Sequence, residues 1–149
     1  MIEIFLIHVV CPFMGTIGYA VLYNIPGRFY WSCGITGALG WLMYCAVIQV
    51  STPAIASFFG ALVVALMGRY LTVRLKCPIT FFLISAIFPL VPGAGIYNTI
   101  YHLASGEIDL AVFYGINALK IAFGIVMGMA SILPIRREVF FRIFGKTEK

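Results

Sequence analysis

Pro89-Leu90-Val91-Pro92-Gly93-Ala94-Gly95 decides how this chain is read. It lies midway along an apolar run, residues 77–103, that contains no Asp, Glu, Lys or Arg. Two prolines and two glycines in seven residues do not stay in an unbroken helix. Each proline lacks an N–H and clashes with the preceding turn. In a soluble protein the stretch would be a surface loop. Inside a membrane span it means more, because lipid does not satisfy freed backbone groups. Irregular backbone at that depth is buried in protein or lines a watery cavity. The stretch is therefore the first candidate for a functional site, provided the chain is a membrane protein.

Composition supports that condition. Hydrophobic residues make up 62% of the chain before its fifteen glycines are counted, and only 10% is charged. Soluble domains run at about 45–50% apolar, glycine included, and about 25% charged. The net charge of +5 does not indicate nucleic-acid binding, because the basic residues stand at the ends of apolar runs and form no polar face. Cys11, Cys33, Cys45 and Cys77 form no C-x-x-C pair and have no histidine at ligand spacing, so they read as small core residues and not as a metal site. Met1-Ile2-Glu3 puts an acid where a secretory signal has a basic segment, so the first apolar run is expected to be retained.

A membrane helix needs about 20 mainly apolar residues. Five runs qualify, at residues 4–22, 29–50, 53–71, 78–103 and 110–133, followed by a basic tail at 134–149. The expected fold is an all-α integral membrane protein, one transmembrane domain of five helices, the fourth broken at Pro89–Gly95. Pro12 should kink the first helix, and His8 reads as interfacial or hydrogen-bonded rather than as a ligand. Gly34, Gly37 and Gly40 leave one flank of the second almost bare, and Ala54, Ser57, Ala61, Ala65 and Gly68 form a small-residue stripe on the third. Both patterns favour close helix packing. Phe29, Tyr30 and Trp31 suggest an interfacial aromatic belt. The tail interleaves Arg136, Arg137, Arg142, Lys146 and Lys149 with aromatic residues, a pattern suited to lying on anionic lipid.

With five spans, nine of the ten Lys and Arg fall on one side and none on the other, which receives the 51–53 turn and the acidic 107–109 loop. Cytoplasmic loops collect Lys and Arg. The expected topology has the N-terminus outside and the C-terminus cytoplasmic, in a multi-pass protein of the cell (inner) membrane.

The tenth basic residue, Lys120, lies about ten residues into the fifth run, roughly 15 Å from its outer edge. A lysine at mid-membrane costs about 2.5–3.5 kcal/mol. Phe113, Asn117, Lys120, Gly124, Gly128 and Ser131 fall within about 80° of one another on a helical wheel. No acidic residue of this chain lies deep in a span, so the counter-charge is expected from an anionic or zwitterionic substrate or from a partner's carboxylate. A broken helix also exposes half-helix N-termini, which attract anions. Pro89, Pro92, Gly93 and Gly95 are expected to shape the break, Asn98 and Asn117 to orient a substrate, and Lys120 to neutralise it. His102 is the candidate proton relay.

The segment Pro89-Leu90-Val91-Pro92-Gly93, followed by Ile96-Tyr97 and by a Gly- and Asn-bearing last helix, resembles the threonine/serine exporter family. The five-span size and basic tail are similar to its small, YjjB-like membrane subunit. The resemblance covers nearly the whole chain, and its most specific part is P-x-x-P-G. It implies export of threonine and serine or of dicarboxylates such as succinate, together with a larger membrane partner. Two five-span halves joined end to end would be inverted repeats, a common transporter plan with a site at the midplane.

Two other classes compete with transport. One is an assembly subunit without a site of its own. The other is a membrane enzyme using His102 with Glu107 or Asp109, but no H-E-x-x-H or G-x-S-x-G motif is present. No P-loop is present either, so any ATP dependence would have to come from another chain; no cofactor is expected.

Overall fold

The computed structural model describes residues 2–134, with side chains from Ile7 onward. The described residues are helical, with no strands. Helix α1 spans Ile2–Leu22 and continues through Pro12. A 3₁₀ turn, Gly27–Phe29, leads into α2, Tyr30–Ile48. Helix α3 spans Pro53–Leu75. Helix α4 is short, Thr80–Ala86, followed by a 3₁₀ turn at Phe88–Leu90. Helices α5, Gly93–Ala104, and α6, Ile108–Ile132, complete the fold. The expected amphipathic tail lies outside the described residues.

By length and composition, Gly27–Ile48, Pro53–Leu75 and Ile108–Ile132 are each able to cross a membrane. The pair Thr80–Leu90 and Gly93–Ala104, bent by 53°, makes a fourth if it is a single span. Ile7–Leu22 is a shorter apolar helix.

Packing follows the small residues. A Cβ on Gly34 would stand 2.6 Å from the Phe13 ring, and one on Gly37 would overlap Thr16. The bare flank of α2 therefore seats α1. Gly40 meets Val64, and a Cβ on Gly60 would lie 3.0 Å from the Gly40 carbonyl oxygen, which joins α2 to α3 backbone to backbone. Ser57, Ala61, Ala65 and Gly68 of the predicted stripe are all buried. Thr16, Thr36 and Ser57 return their hydroxyls to the carbonyl four residues back, so they sit in the core without unmet donors. One apolar cluster gathers Ala20, Ile25, Phe29, Cys33, Cys77 and Phe82; a second gathers Ala61, Val64, Ala86, Leu90 and Ile125.

Two expectations need correcting. Helix α3 runs to Leu75 and not to residue 71, so Arg74 belongs to its last turn, and Lys76 closes it in the left-handed conformation at φ 51°. The Arg69 guanidinium donates to the Leu133 carbonyl oxygen at 3.2 Å, capping the C-terminal end of α6. Phe29 is not an interfacial belt residue: it is 3% exposed, against the Phe81 and Phe82 rings.

Helices α3 and α6 run in the same direction but far out of register. Gly124 of α6 meets Ala54 at the start of α3, and Gly128 meets Phe58. Ile108 lies sixteen residues before Gly124, roughly 24 Å at the helical rise. The first half of α6 therefore extends past the α2–α3 turn and is packed extensively only by α5, through Gly95 on Ala118 and Gly115 on Thr99.

Candidate functional site

The break is built by local rules. Proline at 89 cannot donate inside a helix, so α4 stops at Ala86 and tightens into 3₁₀ geometry, with Leu90 N–H donating to Ile87 O at 2.9 Å and Val91 N–H to Phe88 O at 3.2 Å. Val91 is extended, φ −63° and ψ 133°, as a residue before proline must be. Helix α5 then starts at Gly93. Gly93 N–H turns back to Val91 O at 2.8 Å, and Ile96 N–H donates to Pro92 O at 3.0 Å. The amides of Ala94 and Gly95 have no backbone acceptor among the described residues, so α5 presents free donors at its positive end. The irregular backbone thus occupies residues 87–92, and Gly93 and Gly95 belong to the helix that follows.

Two anchors hold the break. The Phe88 ring stacks on Tyr19 of α1 with centroids 3.5 Å apart, and Leu90 is buried against Gly60. Between these anchors and α6 lies a cavity of about 290 Å³. Residues 89–95 form one wall. Tyr114, Asn117, Ala118 and Ile121 of α6 form the second, and Trp41, Tyr44 and Ser57 the third. Its volume sits at the small end of ligand cavities, about 300–1,000 Å³. The cavity is central along α6 yet lies near the ends of α2 and α3, a direct result of the register offset.

The structure therefore brings together Pro89, Pro92, Gly93, Gly95 and Asn117. It leaves Asn98, His102 and Lys120 outside that cavity. Lys120 is exposed and lines a separate apolar concavity with Ala54, Ile116 and Phe123. His102 Nδ1 lies 2.6 Å from Glu107 Oε2, and its ring stacks on Tyr114 at 5.3 Å and 3°. It latches the α5–α6 turn and touches the cavity only through the back of Tyr114.

Four lining residues escape a reading by charge and hydropathy: Trp41, Tyr44, Ser57 and Tyr114. Trp41 and Tyr44 are stacked with centroids 5.1 Å apart, and Trp41 Nε1 donates to His8 Nδ1 at 3.3 Å. Of the two sequence readings of His8, interfacial or hydrogen-bonded, the structure shows the second, and the residue supports one cavity wall from behind. The available signal was two amphipathic aromatics three residues apart, near the end of an otherwise apolar run. No cluster of three or more His, Cys, Asp or Glu that could hold a metal occurs among the described residues.

The model of the family described as "Threonine/Serine exporter, ThrE" matches residues 8–134. The chain belongs to the threonine/serine exporter family. The match takes in every element of the cavity wall and stops where the last described turn ends. The chain is also similar to an uncharacterized protein of Haemophilus influenzae, 27% identical over 123 residues, which cover 76% of this chain and 41% of the relative. The chain thus spans about two fifths of the length of that relative. No solved structure matches it. Family membership and the apolar helices together make this a multi-pass membrane protein of an exporter family.

Proposed function

We propose that this chain is the membrane subunit of a secondary exporter of small carboxylate-bearing solutes, threonine and serine or dicarboxylates such as succinate, and that it works with a larger membrane partner. The observation that carries the reading is the cavity at the broken helix. It offers free α5 amides and the Asn117 side chain to a small anion, with the Tyr44 and Tyr114 rings shaping the space beside them. Helix N-termini at a discontinuity bind substrate carboxylates in other transporters. The substrate in this reading is held by Pro89–Gly95 and Asn117, and Asn98 lies one turn further along α5 on the same helix.

Five spans with the N-terminus outside remain our topology for the cell membrane. The shared direction of α3 and α6, opposed to α2 and to the α4–α5 pair, supports that alternation. The 41% coverage of the longer relative leaves room for a second membrane unit, which supports the two-part reading.

The test is efflux of radiolabelled serine, threonine and succinate from cells lacking the chain, complemented with wild type or with Asn117→Leu. We expect wild type to restore efflux of at least one solute and Asn117→Leu to restore it poorly. Equal efflux of every solute with and without the chain would sink the exporter reading and leave the assembly-subunit alternative.

A further inference from the structure

Helix α6 carries one continuous side with two different surroundings. Its later part, Gly124 and Gly128, is sealed against Ala54, Phe58 and Ala61 of α3. One turn before Gly124, α3 has not yet begun; that side continues through Lys120 to Asn117 in the cavity wall, while Ile116, Leu119 and Phe123 form an exposed apolar flank beside Lys120. Lys120 lies in an open apolar concavity of about 610 Å³ with Leu119, Phe123 and the first turn of α3 at Ala54. Phe113, Leu119 and Phe123 are 60, 70 and 68% exposed.

The lysine has no ion-pair or hydrogen-bond partner among the described residues. Its nearest neighbouring helix end is the start of α3, which carries the positive end of that helix's dipole and repels a cation. The substrate cavity does not include it. Lipid chains would satisfy the phenylalanines but not the ammonium group.

We propose that this face docks an apolar membrane helix of a second membrane protein, with a carboxylate on that helix paired to Lys120. The proposal rests on the two-part reading above. Three observations select the occupant. Lys120 lies one turn before the packed Gly124 on the same side of α6, and Leu119 and Phe123 extend from it as an exposed apolar flank that this chain leaves uncovered. Its one charge is a cation, so the complementary helix carries an Asp or Glu at that depth. A second copy of this chain does not fit: its acidic residues in the described helices beyond Ile7 are confined to the α5–α6 turn and the start of α6, and two such faces about a twofold axis would set lysine against lysine.

The test places a benzophenone amino acid at Leu119, at Phe123 and, as a control, at Val21 of α1, in the full chain in its native cells. We expect Leu119 and Phe123 to give an adduct of one defined mass, whose sequenced peptide is an apolar helix containing Asp or Glu, and Val21 to give none of it. Lys120→Met should reduce the adduct at least tenfold and Lys120→Arg should preserve it, with equal membrane yield of both variants. Lys120→Glu should lose it, and exchanging the partner's acid for Lys should restore it. Adducts only with lipid or with a second copy of this chain, or no restoration by the exchange, would overturn the proposal. Efflux measured in the same cells separates the two readings. An adduct without any exported solute keeps the docking face and removes the exporter. Efflux with no adduct does the reverse.

Discussion

The backbone carbonyl of Ala54 stands where a side chain on Gly124 would have to begin. That contact fixes the register of α3 against α6, and Gly128 on the Phe58 carbonyl repeats it one turn later. Backbone cannot retreat as a flexible side chain can. Gly124→Val should therefore push the helices apart and cost about 1–3 kcal/mol or more. Gly15→Ala is the control, since nothing lies within 4 Å of its Cβ position, and should stay within about 0.5 kcal/mol. Thermal unfolding in detergent checks both, and equal Tm values for the two variants would refute the packed register.

Gly93 and Gly95, alike in sequence, should separate in experiment. A Cβ on Gly93 meets nothing within 4 Å, whereas one on Gly95 would lie 3.3 Å from Ala118 Cβ. Gly93→Leu is expected to keep the wild-type Tm and lower efflux, because its side chain enters the space left for solute. Gly95→Leu should lower both, because it parts α5 from α6. Unchanged efflux in a well-folded Gly93→Leu variant would place the solute elsewhere.

These two cases show what the sequence reveals and what it hides. Helix positions were legible because length, hydropathy and prolines act locally: Pro53 opens α3, and Pro89 ends α4 close to where steric rules require. The small-residue flanks of α2 and α3 were legible as packing faces. Register was not. Nothing in the spacing of Gly124 and Gly128 says that they meet Ala54 and Phe58 at the very start of α3, and that offset is what carries Lys120 off the shared cavity. Tyr44 and Trp41 were hidden for a related reason. An amphipathic aromatic near the end of a span looks interfacial until a neighbouring helix is known to break beside it.

Asn117 is the cavity's neutral polar side chain from α6, facing the start of α5. Hydrogen bonds to charged groups contribute about 1.5–3 kcal/mol, so Asn117→Ala should weaken apparent solute affinity roughly tenfold or more. Maximal efflux at saturating internal solute should change less. Concentration-dependent efflux from preloaded vesicles containing the complete exporter measures the split, and an unaltered half-saturation point would count against contact with solute.

Topology is open to chemical labelling. In a background with Cys11, Cys33, Cys45 and Cys77 replaced by Ala, Ser105→Cys in the α5–α6 turn should react with an impermeant maleimide in intact cells. Arg74→Cys at the end of α3 should react only after permeabilisation. Labelling of both from the same side would sink the five-span reading. The native Cys77 thiol, in the turn after α3, is pushed up from its ordinary range mainly by burial, with Arg28 pulling the other way. It should therefore label slowly at neutral pH and faster after unfolding.

His102 separates a latch from a relay. Its pair with Glu107 joins the last turn of α5 to the turn before α6, and Glu107 is 55% exposed, so the pair itself should contribute no more than about 1 kcal/mol. Glu107→Gln is expected to leave efflux within twofold. His102→Ala also removes the ring stacked on Tyr114, which frees a cavity-lining residue, so it should cost more than Glu107→Gln. His102→Gln keeps a polar flat group against Tyr114 but cannot carry a proton in the same way. If His102 acts only as a latch, efflux in that variant still responds to an imposed pH gradient as wild type does. That is the expected result, because the contact with Tyr114 is a ring stack and not a hydrogen bond leading into the cavity. A variant that exports but no longer responds to the gradient would make His102 a relay after all.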